Sequence, residues 1–233
     1  MANEHHIEVR RTARYYVLGE IGEETRDIWF VCHGYAQLAR DFIDEFNIIS
    51  SPERVIVAPE ALARYYVVNE SKFHSAESKV GASWMTREDR ECEISDYIVY
   101  LDSLYEEIVS KVDPSQVSVT ALGFSQGGAT ANRWVTQGNS RVDRLIMWGA
   151  LIAADSDLNK AAEFFRDVKL SIVYGKRDQF LTEGMIDDYE QLLEEKNIPY
   201  ELVTFDGGHR MDRDTLTALA REFRIFDERP KPP

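Results

Sequence analysis

The sequence contains little cysteine, no long apolar run and fewer basic than acidic residues. Only Cys32 and Cys92 are cysteines among its 233 residues, which is too few for a disulfide framework or a cysteine-based zinc site. No apolar run approaches the roughly 20 residues that a membrane-spanning helix needs. The N-terminus also lacks the basic and apolar regions of a signal peptide. We therefore expect a cytoplasmic protein that does not insert into membranes.

The charge balance limits the partners that this surface attracts. Lys and Arg together number 27, Asp and Glu number 41, and the net charge is −14. Such an acidic surface repels nucleic acid and anionic membranes, so neither is expected as a partner. A small apolar or cationic substrate is not excluded. The sequence does not indicate an oligomeric state, and a dimer is compatible with it.

Apolar runs of strand length alternate with helical patterns along most of the chain. The strand-like runs lie at 7–11, 14–18, 28–32, 55–58, 117–122, 143–148, 169–174 and 199–205. Helical patterns lie at 38–49, 91–111, around 131–135, and at 158–165, 186–197 and 216–223. This alternation predicts an α/β fold, with a mostly parallel sheet covered by helices on both faces. In such a sheet, function gathers beyond the carboxyl ends of the strands.

Length and composition predict one domain over residues 1–233, because α/β domains often reach this size and apolar residues make up 44% of the chain. Residues 60–90 show no clear period and carry aromatic residues, which predicts a long loop over the functional site. Residues 228–233 read as a frayed tail.

The motif Gly-x-Ser-x-Gly, centred on Ser125, stands between a strand-like run and a helical pattern. This is the context of a nucleophile elbow, in which a serine is held on a strained strand-to-helix turn. Gly123 and Gly127 supply the small neighbours that such a turn needs, and Gly128 lets the helix begin close to the sheet. The motif therefore predicts that Ser125 is a nucleophile.

A serine hydroxyl needs an imidazole base to become nucleophilic. Behind an elbow of this kind the chain order is serine, carboxylate, histidine, and His209 alone among five histidines follows Ser125. Its surroundings, at the end of a strand and the start of a glycine loop, suit that role. His209 is therefore the predicted general base.

The carboxylate that orients this histidine should follow another strand between the two residues. Asp178 comes four residues after a strand-like run ending at Tyr174 and is the predicted partner. Three competitors remain: Asp155 and Asp157 follow the preceding strand, and Asp206 lies too close to the histidine to come from a separate element.

The oxyanion hole of such a site takes one amide from the residue after the nucleophile and another from a loop after an earlier strand. These positions predict the backbone amides of Gln126 and Tyr35. His33, which ends the earlier strand, is interpreted as a structural histidine. Trp84, Tyr65 and Tyr66 are candidate substrate contacts, although packing of the long loop would also explain them.

These motifs together resemble the phospholipase/carboxylesterase family of α/β-hydrolases, which includes acyl-protein thioesterases and bacterial carboxylesterases. The matching segments are Gly123–Gly128, His33-Gly34, Ala58-Pro59-Glu60-Ala61, Ser83-Trp84, Gly175-x-x-Asp178 and Gly208-His209, in the family's order. The resemblance covers residues from about 28 to 226. It implies an α/β-hydrolase fold with little or no cap domain, and hydrolysis of esters or thioesters by Ser125, Asp178 and His209 without a metal or an organic cofactor.

Two features differ from the family pattern. The family commonly has another glycine shortly after His-Gly, where this chain has Tyr35 and Ala36. Tyr65 and Tyr66 are also bulkier than a channel for long acyl chains would favour, which suggests a smaller or aromatic acyl group.

The sequence thus predicts a serine hydrolase that cleaves a small-molecule carboxylic ester or thioester through an acyl-enzyme. Two alternatives remain open. One is a peptidase or amidase that uses the same triad, and the other is a catalytically silent scaffold of the same fold that binds a small ligand.

Overall fold

The computed structural model describes residues 2–67, 77–153 and 155–222. Phe73 and His74 of the predicted loop, the end of the last predicted helix and the predicted tail lie outside the described residues. No helix in the described part is long and apolar enough to cross a membrane.

The described elements are nine strands, six α-helices and one 3-10 helix. The strands are β1 (Tyr15–Leu18), β2 (Asp27–Cys32), β3 (Arg54–Pro59), β4 (Ala63–Tyr66), β5 (Val80–Ser83), β6 (Ser118–Phe124), β7 (Arg144–Trp148), β8 (Lys169–Gly175) and β9 (Glu201–Phe205). The α-helices are α1 (Ala39–Phe42), α2 (Arg90–Val109), α3 (Gln126–Gln137), α4 (Leu158–Phe164), α5 (Glu183–Glu195) and α6 (Arg213–Glu222). A 3-10 helix, Ile43–Ile49, continues directly from α1.

Seven strands form the main sheet in the order β1-β3-β2-β6-β7-β8-β9. All neighbouring pairs are parallel except β1 with β3. The register pairs Phe124 with Trp148 and Gly175 with Phe205, so the carboxyl ends of β6, β7, β8 and β9 lie along one edge of the sheet. The predicted α/β fold with a mostly parallel sheet is confirmed.

Helices cover both faces because the central strands are apolar on both sides. On β2, Phe30 packs among side chains of α2 and α3, whereas Trp29 packs among those of α1, the 3-10 helix and α6. Both rings are buried, with 0% and 1% exposure respectively. This continuous burial explains why the strands could be recognised as unbroken apolar runs.

Three local predictions were wrong. Residues 7–11 form no strand, and the alternating side chains Ile7 and Val9 are 87% and 78% exposed. The predicted helix at 38–49 tightens into a 3-10 helix after Phe42. The 60–90 stretch is not a plain loop, because β4 and β5 pair antiparallel within it. Alternation alone does not supply a strand partner, and β4 and β5 lack the apolar pattern that signals strands.

Candidate active site

Ser125 occupies the strained turn between β6 and α3. Its backbone has φ 54° and ψ −120°, a conformation that costs energy for a residue with a side chain. Its amide donates to the carbonyl of Trp148 on β7 over 2.8 Å, and its carbonyl accepts from the amide of Gly128 over 2.9 Å. These two bonds hold the serine at the carboxyl edge of the sheet, where the elbow motif predicted it.

The flanking glycines are required because backbone atoms fill the space of their missing side chains. A Cβ on Gly127 would lie 2.2 Å from the carbonyl oxygen of Cys32, and one on Gly123 would lie 2.1 Å from the carbonyl oxygen of Gly127. Backbone carbonyls in a sheet and a helix cannot move aside cheaply. The close packing of α3 on β2 and β6 therefore depends on these two positions.

His209 and Asp178 meet beyond the carboxyl ends of β8 and β9. The carboxylate Oδ2 of Asp178 lies 2.7 Å from Nδ1 of His209, and the two side chains are 1% and 14% exposed. The other oxygen, Oδ1, accepts from the amides of Phe180 at 2.8 Å and Leu181 at 3.2 Å. Because the turn holds the carboxylate on one side, Asp178 can keep the proton of His209 on Nδ1 and leave Nε2 available.

The imidazole lies next to the elbow. Its ring packs on Phe124, the residue before Ser125, with the ring centroids 4.9 Å apart. A Cβ on Gly149, just after β7, would lie 2.9 Å from Cε1 of His209. Within the described residues, the hydroxyl of Ser125 makes no hydrogen bond to the imidazole. Such bonds commonly tighten only when substrate is bound.

The competitor Asp155 belongs to a different network. It accepts from Arg133 on α3, at distances down to 2.7 Å, and from Arg90 at 2.9 Å. Partial burial opposes ionisation of Asp155, but the hydrogen bonds from the two arginines outweigh it and lower its pKa. This carboxylate ties α3 to the start of α2.

The other two competitors are also occupied elsewhere. Asp157 is the N-cap of α4 and accepts from the amides of Asn159 and Lys160. Asp206 pairs with Arg177, and its side chain is 78% exposed. Of the four candidate carboxylates, Asp178 is the one that contacts the histidine.

The loop after β2 presents the second predicted oxyanion amide. Gln37 accepts from the amide of Gly34 at 2.7 Å through its side chain, and the amide of Ala36 donates to Ala82 on β5 at 2.9 Å. Among the described residues, the amide of Tyr35 between them donates to no acceptor. Ala36 has φ 63°, so the position near the family's extra glycine keeps a left-handed backbone despite its methyl group.

His33 is a structural residue, as the sequence indicated. Its Nδ1 donates to the carbonyl of Gly34 at 2.8 Å, and its Nε2 accepts from the amide of Ala61 at 3.1 Å. Burial lowers its pKa, so the ring is held neutral. Both ring nitrogens are used, which leaves none for catalysis.

The side chain of Gln126 links the elbow to the segment after β5, a role that the sequence did not reveal. Its Oε1 accepts from the amide of Trp84 at 3.1 Å, and its Nε2 donates to the carbonyl of Met85 at 2.8 Å. The hydroxyl of Ser83 lies 3.2 Å from Nε2. The amide of Gln126 donates to no described acceptor. The glutamine thus holds residues 83–85 against the predicted oxyanion hole.

The aromatic candidates differ in how accessible they are. Tyr35 and Tyr65 pack with ring centroids 5.5 Å apart, and Tyr66 is 46% exposed. Trp84 is only 3% exposed and donates through Nε1 to the carbonyl of His33, so it is mainly a core residue. Phe180, which the sequence did not single out, is 59% exposed and packs edge-on against His209 at 4.7 Å.

Two surface clefts, each of about 360 Å³, lie at the opposite edge of the sheet. One is lined by residues 165–170 and 199–201, where β8 and β9 begin. The other lies near residues 22–26 and 110–116, where β2 and β6 begin. In parallel sheets ligands bind at the carboxyl ends of the strands, so neither cleft belongs to the site around Ser125.

The mostly parallel sheet, its helical layers and the serine elbow define the α/β-hydrolase fold. No protein-family model matches the sequence, and the comparison with curated proteins found no match.

Solved structures of this fold are similar to the chain over most of its length. Acyl-protein thioesterase 2 of Zea mays has a TM-score of 0.66 and 14% identity, covering 91% of this chain and 97% of its own. A carboxylesterase from Mesorhizobium loti has a TM-score of 0.66 and 16% identity, covering 90% and 93%. A phospholipase/carboxylesterase from Dyadobacter fermentans has a TM-score of 0.63 and 18% identity, covering 92% and 97%. At these identities the likeness establishes the fold.

Proposed function

We propose that this protein is a serine hydrolase that cleaves carboxylic esters or thioesters through an acyl-enzyme on Ser125. The observation that supports this most is the 2.7 Å hydrogen bond between Asp178 and His209, beside an elbow that holds Ser125 at φ 54°. The similarity in fold to proteins described as esterases and a thioesterase agrees with it.

In the proposed reaction, Ser125 Oγ attacks the substrate carbonyl while Nε2 of His209 takes its proton. Asp178 holds the imidazole in the correct tautomer and stabilises its charged form. The imidazolium then gives the proton to the leaving alcohol or thiol. A water molecule then attacks the acyl-enzyme, with His209 again taking the proton, and the carboxylic acid is released. The cycle uses no metal or organic cofactor.

The amides of Tyr35 and Gln126 are proposed to stabilise the oxyanion. Each such donor is worth about 3–4 kcal/mol in the transition state. The proposal is supported by their lack of a described acceptor and by the anchoring of both segments to β5 and the residues after it. Preorganised donors need little rearrangement when the charge develops.

The proposed substrate is a small molecule with a short or aromatic acyl group. The packed rings of Tyr35 and Tyr65 and the exposed ring of Phe180 beside His209 support this choice, because they add bulk near the reacting groups.

Cys32 and Cys92 are free, which agrees with a reducing compartment, and we propose that the protein acts in the cytoplasm.

Hydrolysis of p-nitrophenyl esters from acetate to palmitate tests the proposal. We expect activity that peaks at short chains, falls to background in Ser125→Ala and is unchanged in Ser103→Ala, whose exposed hydroxyl donates to the carbonyl of Val99 within α2. A peak at long chains would contradict the proposed acyl preference. Full activity in a folded Ser125→Ala variant would contradict the mechanism.

Matched ester and anilide substrates distinguish the proposed esterase from a peptidase or amidase with the same triad. We expect the ester to be cleaved much faster, because an alkoxide leaves more readily than an amide nitrogen. Faster cleavage of the anilide would identify an amidase.

A further inference from the structure

A cluster of three different metal-binding side chains lies outside the site described above. His6, Asp89 and Cys92 each place one ligand atom so that all three atoms lie within 4.8 Å of one another. Contrary to the expectation from the cysteine count, we propose that these residues, with one cysteine among them, bind a zinc ion that fastens the N-terminal segment to the start of α2. The proposal does not depend on the proposed hydrolase activity.

The separation of two of the three ligand atoms is compatible with a tetrahedral ion. Nε2 of His6 lies 3.2 Å from Oδ1 of Asp89. Zinc binds imidazole and carboxylate at about 2.0–2.2 Å, so two such ligands on a tetrahedron are separated by about 3.3–3.5 Å. The observed pair is therefore close to the separation that a shared ion would impose.

The donor chemistry selects the ion. A thiolate, an imidazole and a carboxylate together suit zinc, whereas magnesium and calcium prefer oxygen ligands alone. Cys92 would bind as the thiolate and release its proton to solvent. The Oε1 of Glu4 lies 3.4 Å from Nε2 of His6 and adds negative charge beside the cluster. The acidic surroundings also favour a cation.

The side chain of Asp89 is directed into the cluster and not toward the first amides of its helix. This residue stands at the N-cap of α2, where an aspartate usually accepts hydrogen bonds from the first amides of the helix. Here the side chain makes no such bond and faces His6 instead. The carboxylate of Asp89 is thus directed toward the other two residues of the cluster.

The connectivity shows what the ion would do. Residues 2–10 contain no helix or strand. Among the described residues, the contact between His6 and Asp89, 83 positions apart, is the side-chain hydrogen bond that joins this segment to the rest of the domain. An ion shared between them would turn one exposed contact into a three-point attachment.

Titration of the metal-free protein with Co²⁺ tests the site, since a cobalt–thiolate bond gives a charge-transfer band that carboxylates do not. We expect one equivalent to bind with this band and with the visible spectrum of a tetrahedral ion, and one equivalent of Zn²⁺ to displace it. The variants His6→Ala and Cys92→Ser should weaken zinc affinity by more than the about 10–100-fold that loss of an outer-shell partner costs.

His5→Ala is the matched control, because His5 is the exposed neighbouring histidine and is not part of the cluster. It should bind as the wild type does. Circular dichroism checks that each variant is folded. Absence of the charge-transfer band, or equal binding by the wild type and the Cys92→Ser variant, would overturn the proposal.

Limited trypsin digestion tests the attachment itself. Arg10 lies in the segment that the ion would hold, so one equivalent of Zn²⁺ should slow cleavage there in the wild type and the His5→Ala variant but not in the Cys92→Ser variant. Cleavage that is equally fast with and without zinc in the wild type would contradict the proposed role.

Discussion

The strained backbone of Ser125 is tolerated because Gly123 and Gly127, two positions before and after it, have no side chain. With φ 54° and ψ −120°, the turn brings α3 so close to β2 that a Cβ on Gly127 would lie 2.2 Å from one carbonyl oxygen and 2.5 Å from the next. The geometry of the elbow is therefore set by contacts between backbones, which a single methyl group can disturb.

The variant Gly127→Ala tests this at the scale of one methyl group. We expect a loss of at least about 3 kcal/mol in the free energy of unfolding, because the clash is with backbone and cannot be relieved by a side-chain rotation. Urea unfolding measures it. A midpoint equal to that of the wild type would show that α3 can move away from the sheet.

Gly184→Ala is the control for this substitution. Gly184 lies in the first turn of α5, and a Cβ there would meet nothing within 4 Å. We expect it to stabilise the protein by up to about 1 kcal/mol, because alanine favours the helix over the unfolded chain.

The carboxylate of Asp178 has two separable tasks, one for each oxygen. Oδ1 holds the turn through the amides of Phe180 and Leu181, and Oδ2 pairs with His209. The variant Asp178→Asn can keep an oxygen toward the turn while offering the histidine an amide group. The variant should therefore keep the stability of the wild type and lose the orientation of His209.

We expect Asp178→Asn to lower kcat for the best p-nitrophenyl ester by about 10³–10⁴-fold, because the histidine loses the partner that sets its tautomer. Circular dichroism should remain that of the wild type. The control Asp206→Asn, in an exposed pair with Arg177, should retain nearly full activity. Similar losses in both variants would remove the special role of Asp178.

At the scale of elements, α3, β5 and the loop after β2 form one unit. The side chain of Gln126 holds residues 83–85, and the amide of Ala36 donates to Ala82 on β5. Gly81 approaches so closely that a Cβ there would lie 2.7 Å from the carbonyl oxygen of Ala36. The small β4–β5 sheet thus supports both proposed oxyanion amides.

Gln126→Ala tests this coupling while keeping the backbone amide at 126. We expect a loss of about 1–3 kcal/mol in the free energy of unfolding, because the buried amide of Trp84 loses its acceptor. Hydrogen exchange at the Trp84 amide should become faster, and kcat should fall by about 10–100-fold through misplacement of the oxyanion amides.

Gln137→Ala at the exposed C-terminal end of the same helix is the matched control and should change none of these quantities. Unchanged exchange at Trp84 in Gln126→Ala would contradict the coupling.

At the scale of the whole molecule, the sequence predicted the elements whose pattern is local. The parallel strands and helices α2 to α6 were recognisable because burial on both faces leaves continuous apolar runs and amphipathic periods. The β4–β5 pair was not recognisable, since the four-residue sequences of the two strands, ARYY and VGAS, do not alternate apolar with polar side chains. The run at 7–11 alternates but has no strand partner, and pairing is a property of the fold.

The candidate site likewise has features that the sequence predicted and features that depend on long-range packing. The pairing of Asp178 with His209 could be predicted because chain order and strand ends limit the candidates, and the structure brings the two together. Their catalytic roles remain a proposal. The Gln126 contacts, the ring of Phe180 and the cluster around His6 depend on turns and long-range packing, so no local pattern indicated them.

The single domain expected from the sequence predicts one cooperative unfolding transition. The four tryptophans report on both faces of the sheet, because Trp84 and Trp134 lie in one core and Trp29 and Trp148 in the other. Urea unfolding followed by tryptophan fluorescence and by far-ultraviolet circular dichroism should therefore give coincident curves. Two separated transitions would show that the two layers unfold independently.

The central claim, that Ser125 is an activated nucleophile, is tested most directly by a fluorophosphonate probe. We expect about one probe per chain by intact mass, located on Ser125 by peptide mapping, with no labelling of Ser125→Ala and much slower labelling of His209→Ala. An unlabelled wild-type protein, or labelling at another residue, would contradict the account and favour a silent scaffold of the same fold.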